Sequence, residues 1–157
     1  MKKVALVIIM VILVCLLSAC PTQGDNNPDN NGQGEEGVTK MYITIYENKL
    51  EVQLENNSSV KALVELLKQG NITYTADDYG GFEKVGNINH SLPTNNTSIT
   101  TEAGDVVLYQ GNQICIMVGS NSWSYTRIGK INGYSASQLK SLVGTGKGRT
   151  EVTLSLS

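Results

Sequence analysis

Two stretches of this chain carry residue types that do chemistry together. Tyr79, Glu83 and Lys84 flank the double glycine Gly80-Gly81, while Trp123, Tyr125 and Arg127 alternate along a later segment, and Tyr109 ends another. Two cations, one carboxylate and several aromatic rings suit a small polar ligand or a peptide backbone, the rings supplying apolar contact and the charges fixing orientation. A plainer reading of the same residues makes Glu83 and Arg127 an ion pair and the tyrosines a cover for a sheet, with wet hydroxyls. Other chemistry is harder to build. His90 is the only histidine and has no His or Cys partner at ligand spacing, so no metal site is expected. Asp77-Asp78 lacks the acidic spacing of a calcium loop. Gly144-Thr145-Gly146-Lys147-Gly148 breaks the spacing of a phosphate loop at both ends and reads as a basic turn. Cys115 lies in the apolar run Ile114 to Val118, where a thiol behaves as a small buried hydrophobe. No cofactor is expected.

These residues need elements to hold them. Tyr42 to Tyr46 is β-branched and aromatic, and Lys49 to Leu54 alternates polar with apolar, so the two form a hairpin turning at Glu47-Asn48. Asn57-Ser58-Ser59 caps a helix whose Val60, Leu63, Val64 and Leu67 share one face, and Gly70 stops it. Ile72 to Ala76 is a strand that runs into a bend or bulge at the paired glycines. Asn87 to Thr100 is polar and reads as an irregular surface loop. Three strands follow, Asp105 to Tyr109, Gln113 to Val118 and Ser124 to Ile131. Ser135 or Ser137 opens a short helix through Leu142, and Thr150 to Leu156 is a last strand. About seven to eight short strands with two short helices predict a mainly β fold, a closed or nearly closed β-barrel with helical plugs.

The N-terminus sets the location. Lys2-Lys3 precede an unbroken apolar run, Val4 to Leu17, and Leu17-Ser18-Ala19-Cys20 follows. This is a secretory signal peptide ending in a bacterial lipobox. The run is too short for a transmembrane helix: at 1.5 Å per residue it spans about 21 Å, against roughly 30 Å of hydrocarbon. The expected organisation is a lipoprotein signal peptide at 1–19, a disordered acidic tether at 20–39 and one domain at 40–157. Cys20 is the expected site of lipidation, including palmitate, which places the domain on the extracytoplasmic face of a bacterial cell membrane. Cys15 leaves with the signal, so Cys115 has no intrachain partner for a disulfide. The acids Asp25, Asp29, Glu35 and Glu36 carry the tether's charge, and the domain beyond is neutral. A net charge of −2, more negative once Lys2 and Lys3 are removed, argues against nucleic acid as a partner.

Read in order, Asp78-Tyr79-Gly80-Gly81-Phe82-Glu83-Lys84, Ser91-Leu92-Pro93-Thr94, Ala103-Gly104-Asp105-Val106-Val107-Leu108-Tyr109 and Ser124-Tyr125-Thr126-Arg127-Ile128-Gly129-Lys130-Ile131 resemble the bacterial cyclophilin-like domain family. The resemblance covers essentially all of 40–157 and implies a cyclophilin-type β-barrel with a helix at each open end. In such a fold Tyr79, Glu83, Lys84, Tyr109, Trp123 and Tyr125 are expected to converge on one barrel face as ligand-binding residues. The alternative that the resemblance implies is weak peptidyl-prolyl isomerisation of exported proteins. There Arg127 would be the catalytic group, hydrogen-bonding the prolyl nitrogen as amide resonance is broken. The cyclophilin Phe-His-Arg motif is absent, and Tyr125-Thr126-Arg127 stands in its place. Binding of a peptide or small polar ligand is the leading expectation.

Overall fold

The computed structural model describes residues 37–157. The expected signal peptide, Cys20 and nearly all of the tether lie outside the described residues.

The first hairpin forms where alternation predicts it. β1 (Lys40–Ile45) and β2 (Asn48–Leu54) pair antiparallel from Lys40↔Gln53 to Ile45↔Asn48, leaving Tyr46-Glu47 as the turn. Met41, Ile43, Ile45, Leu50 and Val52 are buried on the inner side. Next comes α1 (Ser58–Gln69), whose N-cap Asn57 accepts the Val60 N–H at 3.0 Å and so satisfies one of the helix's unpaired donors. The Asn57 side chain also donates to the Arg127 carbonyl at 2.8 Å, which ties the helix start to a distant strand. Val60, Leu63, Val64 and Leu67 are buried, each stabilising the fold by about 1.5 to 3 kcal/mol relative to exposure.

β3 (Ile72–Tyr79) is longer than its apolar part, and β4 (Glu83–Asn87) follows directly. Gly80-Gly81 is therefore the turn of a hairpin, with Tyr79 opposite Glu83 and Asp77 opposite Val85, and not a bulge within one strand. β5 (Thr97–Thr100) occupies the end of the segment expected to be loop. It pairs only with β8 (Ser122–Lys130), and its polar composition follows from its exposure. β6 (Asp105–Tyr109) and β7 (Gln113–Met117) match the sequence reading. α2 (Ala136–Leu142) starts at Ser135, which exchanges a reciprocal pair of hydrogen bonds with Gln138, and β9 (Thr150–Ser155) ends the chain.

The strands are hydrogen-bonded in the order β2-β1-β9-β3-β4-β7-β6-β8-β5, and an added pairing of β2 with β8 closes the first eight into a ring. The fold is thus mainly β with two helices, in line with the expected closed architecture. The seam is short, since only Gln53 and Leu54 of β2 pair with Lys130 and Gly129 of β8. Residues of both helices, including Leu63, Leu67, Leu139 and Val143, join the inner core with Ile43, Val106, Ile116, Ile128 and Val152. A second, smaller cluster of Val107, Cys115, Met117 and Tyr125 lies on the other side of the sheet, because side chains alternate along each strand. That outer cluster carries the candidate site.

Candidate functional site

Register decides which residues meet. On β4, Glu83 stands opposite Met117 of the outer cluster and Val85 opposite Cys115, whereas Lys84 stands opposite Ile116 of the inner core. Tyr79 ends β3 opposite Glu83, Tyr109 ends β6, and Trp123 and Tyr125 lie two apart on β8. Together with Gly80, Phe82, Val85, Gln113 and Asn121 they line an outward-facing groove of about 720 Å³. Five of the expected ligand-binding residues, Tyr79, Glu83, Tyr109, Trp123 and Tyr125, are therefore brought together.

The rings are held in fixed relations. Tyr79 and Phe82 meet edge to face with centroids 5.9 Å apart, and Tyr109 and Tyr125 do so at 6.0 Å. Asn121 donates to the Tyr125 hydroxyl at 2.9 Å and is itself fixed by the exchange of hydrogen bonds with Thr101. Phe82 is placed by its own carbonyl, which accepts from the Val118 and Gly119 N–H groups at 2.7 and 3.0 Å. Gly80 makes the approach possible: its φ is +59°, and a Cβ there would lie 2.1 Å from the Phe82 ring. Despite its contact with Phe82, Tyr79 remains 63% exposed, and Trp123 is 56% exposed, so both rings are open to solvent.

Glu83 is the chemical centre of the groove. Only 6% of it is exposed, and its Oε2 is buried without a hydrogen-bond partner. Burial pushes its carboxyl above the ordinary glutamate value, partly offset by the hydrogen bond with Cys115. The Cys115 thiol is pushed well up in turn, first by burial and then by Glu83, so it is a protonated neighbour and not a nucleophile. Burial also raises the Tyr125 hydroxyl, against the opposing hydrogen bond from Asn121. A carboxyl in this setting can act as a hydrogen-bond donor or as a countercharge for a ligand.

Two expected site residues are placed elsewhere. Lys84, fully buried, turns inward to an ion pair with Asp78 at 3.0 Å and donates to the Gly148 carbonyl at 2.8 Å. Asp78 accepts the Gly146 and Gly148 N–H groups at 3.0 and 2.9 Å. The expected basic turn is thus clamped by a buried ion pair, and Lys84 is a structural residue. Arg127 shares the groove's strand, but its Nη1 pairs with Asp105 Oδ2 at 3.3 Å and it does not line the groove. Asp105 also takes Lys130 at 2.8 Å and the Glu102 N–H at 2.8 Å, so it is an anchored acceptor. The predicted pairing of Glu83 with Arg127 is replaced by this arrangement.

Phe82, Val85, Gln113 and Asn121 were not among the expected site residues. Phe82 lay beside Tyr79 and Glu83 in the sequence and was legible as the lone Phe next to a double glycine. Asn121 sits in a turn, where nothing in its composition marks it.

Comparison with known proteins agrees with the architecture. The family model described as the cyclophilin-like family matches residues 43–155. The solution structure of a hypothetical protein from Archaeoglobus fulgidus superposes with a TM-score of 0.59 at 20% identity, covering 79% of this chain and 99% of the other. That likeness speaks to the fold alone. Among proteins with curated descriptions, none matches the chain.

Proposed function

The chain belongs to the cyclophilin-like family, and from that premise we propose that it is a membrane-anchored extracytoplasmic lipoprotein whose domain binds a peptide or a small polar ligand. The observation that carries the binding reading is the outer groove, where four fixed or exposed tyrosine and tryptophan rings surround one buried carboxyl. Concave, aromatic-lined and sparingly polar surfaces of this size suit small ligands and short peptides. The anchoring part rests on Lys2-Lys3, the apolar run to Leu17 and the Leu17-Ser18-Ala19-Cys20 lipobox.

Both parts are open to direct experiment. Trp123 is the only tryptophan, so its emission reports on the groove without added label. Titration of the full chain in nonionic detergent with a panel of short peptides and small polar molecules is expected to give a saturable emission change for at least one member. Absence of any such change across the panel, by emission and by calorimetry, contradicts the binding reading. Metabolic labelling with a palmitate analogue is expected to tag the wild type and not Cys20→Ser.

A second reading, weak prolyl isomerisation of exported proteins, is favoured by the same aromatic groove, which could hold a proline ring. It needs an electrostatic stabiliser other than Arg127, whose guanidinium is engaged by Asp105. A protease-coupled assay on prolyl peptides, with Tyr125→Ala beside the wild type, separates the two readings.

A further inference from the structure

The nature of the groove's polar groups narrows the ligand. Its lining contains one carboxylate, Glu83, and no lysine, arginine or histidine. Five of the chain's nine aromatic residues converge there, Tyr79, Phe82, Tyr109, Trp123 and Tyr125. The face of an aromatic ring carries negative potential and attracts a cation, most strongly when water is displaced. Lysines do sit over tyrosine rings in this protein, but at Tyr42 and Tyr46, away from the groove.

We propose that the groove takes an organic cation, the alkylammonium group of a small molecule, seated over the aromatic rings with Glu83 as its countercharge. The proposal rests on the reading of the groove as a binding site and adds the ligand's charge to it. Ligands of the opposite sign fail on both terms, since an anion meets the ring faces and a carboxylate with no cation to neutralise it. A neutral apolar ligand gains contact with the rings but offers no charge to the Glu83 carboxyl, whose buried Oε2 lacks a hydrogen-bond partner in the free protein. A cation gains both the ring faces and the charge attraction of Glu83, whose side chain is only 6% exposed.

The proton balance has a definite sign. The groups set against Glu83 are the Cys115 thiol from β7 and the Tyr125 hydroxyl from β8, with Tyr79 from β3 opposite it in the register and Tyr109 from β6 in the same groove lining. Asp78 and Lys84 neutralise each other on the opposite face, and Arg127 is matched by Asp105. Burial favours the protonated form of Glu83 in the free protein. A bound cation favours the ionised form, so binding expels a proton, and affinity rises with pH until Glu83 is ionised in the free state, a point that lies above 4.5.

The test uses benzyltrimethylammonium and its uncharged carbon isostere neopentylbenzene, titrated by calorimetry and Trp123 emission into the full chain in nonionic detergent. The expected result is a saturable site for the cation, at least tenfold tighter than for the isostere, and weakened about tenfold in Glu83→Gln. Folding of that variant is followed by circular dichroism in the same samples. Equal affinity for the two ligands, or an unchanged affinity in a folded Glu83→Gln, overturns the charge assignment while leaving a binding groove. The same holds if a peptide or neutral molecule binds and the cation does not. If neither these ligands nor any member of the wider panel binds, the binding reading itself falls, and this proposal with it.

Discussion

Glu83 and Lys84 are consecutive in the chain and serve opposite faces of β4: Glu83 meets Cys115 in the outer groove, while Lys84 pairs with Asp78 at 3.0 Å inside. One peptide unit thus separates a carboxyl whose pKa burial raises from an ammonium ion-paired with Asp78. The alternation of a strand produces this division, and the hairpin at Gly80-Gly81 sets which of the two faces outward. The inner charge holds the turn 144–148 against the sheet, and the outer one lies buried at the wall of the groove.

Lys84→Met removes one partner of the pair and leaves Asp78 Oδ1 and the Gly148 carbonyl without the ammonium, although Asp78 Oδ2 keeps the Gly146 and Gly148 N–H groups. A loss of about 3 kcal/mol is expected, read as a lower urea midpoint. Adding Asp78→Asn to the same chain is expected to recover part of it. A loss below about 1 kcal/mol would show that water replaces the ammonium, contrary to the closed geometry at Lys84.

Acid sensitivity follows from Asp78 and Asp105. Burial raises both carboxyls, but Lys84 with the Gly148 and Gly146 N–H groups outweighs it for Asp78, and Lys130, the Glu102 N–H and Arg127 do so for Asp105. Each folded carboxyl therefore lies below its unfolded value of 3.8. Their contribution is fully present above that value and is lost as pH falls through the lower folded ones. Thermal midpoints measured downward from pH 5 are expected to drop less steeply in Asp78→Asn and Asp105→Asn than in the wild type. Parallel curves would contradict the assignment.

Glu83 behaves in the opposite sense. Its folded value lies above 4.5, so stability declines as pH rises from that point through the folded value. Glu83→Gln is expected to stabilise the chain at pH 7, by about 1 to 2 kcal/mol, since a buried carboxylate oxygen without a partner is replaced by an uncharged amide. Little difference is expected near pH 4. A variant that is less stable at pH 7 would mean the carboxylate has a partner.

Arg127→Ala is expected to leave groove binding within about twofold and to cost at most about 1 kcal/mol of stability, because the side chain is 40% exposed and its partner Asp105 keeps Lys130. Denaturation and the Trp123 titration on one preparation check both. A large loss of affinity with an unchanged midpoint would return Arg127 to the site.

The helices and the apolar strands were legible because their signals are local. Asn57 and Gly70 bracket α1, Ser135 opens α2, and the runs Val106 to Leu108 and Ile114 to Val118 are buried as their composition demands. β5 was not legible, since Thr97-Ser98-Ile99-Thr100 is polar and owes its conformation to β8 alone. The end of β3 was hidden in the same way: Asp77 and Asp78 are poor strand formers, held there by Arg149 and Lys84 from outside the segment. That omission carried into the site. Without β4 as a strand, nothing separates Glu83 from Lys84, and both were expected in one cleft. Tyr79, Tyr109, Trp123 and Tyr125 were grouped through the resemblance and line one groove, while the tie of Arg127 to Asp105 spans β6 and β8, whose register shifts at Val106/Val107.

The most direct test of the account is a chemical-shift map of the isotopically labelled full chain in detergent, with the tightest ligand from the titrations added stepwise. Binding in the outer groove predicts saturable shifts at Tyr79, Glu83, Tyr109, Trp123 and Tyr125, with Lys84 and Gly148 unmoved. Shifts centred on Lys84 and the 144–148 turn, with the five groove residues unchanged, would contradict it.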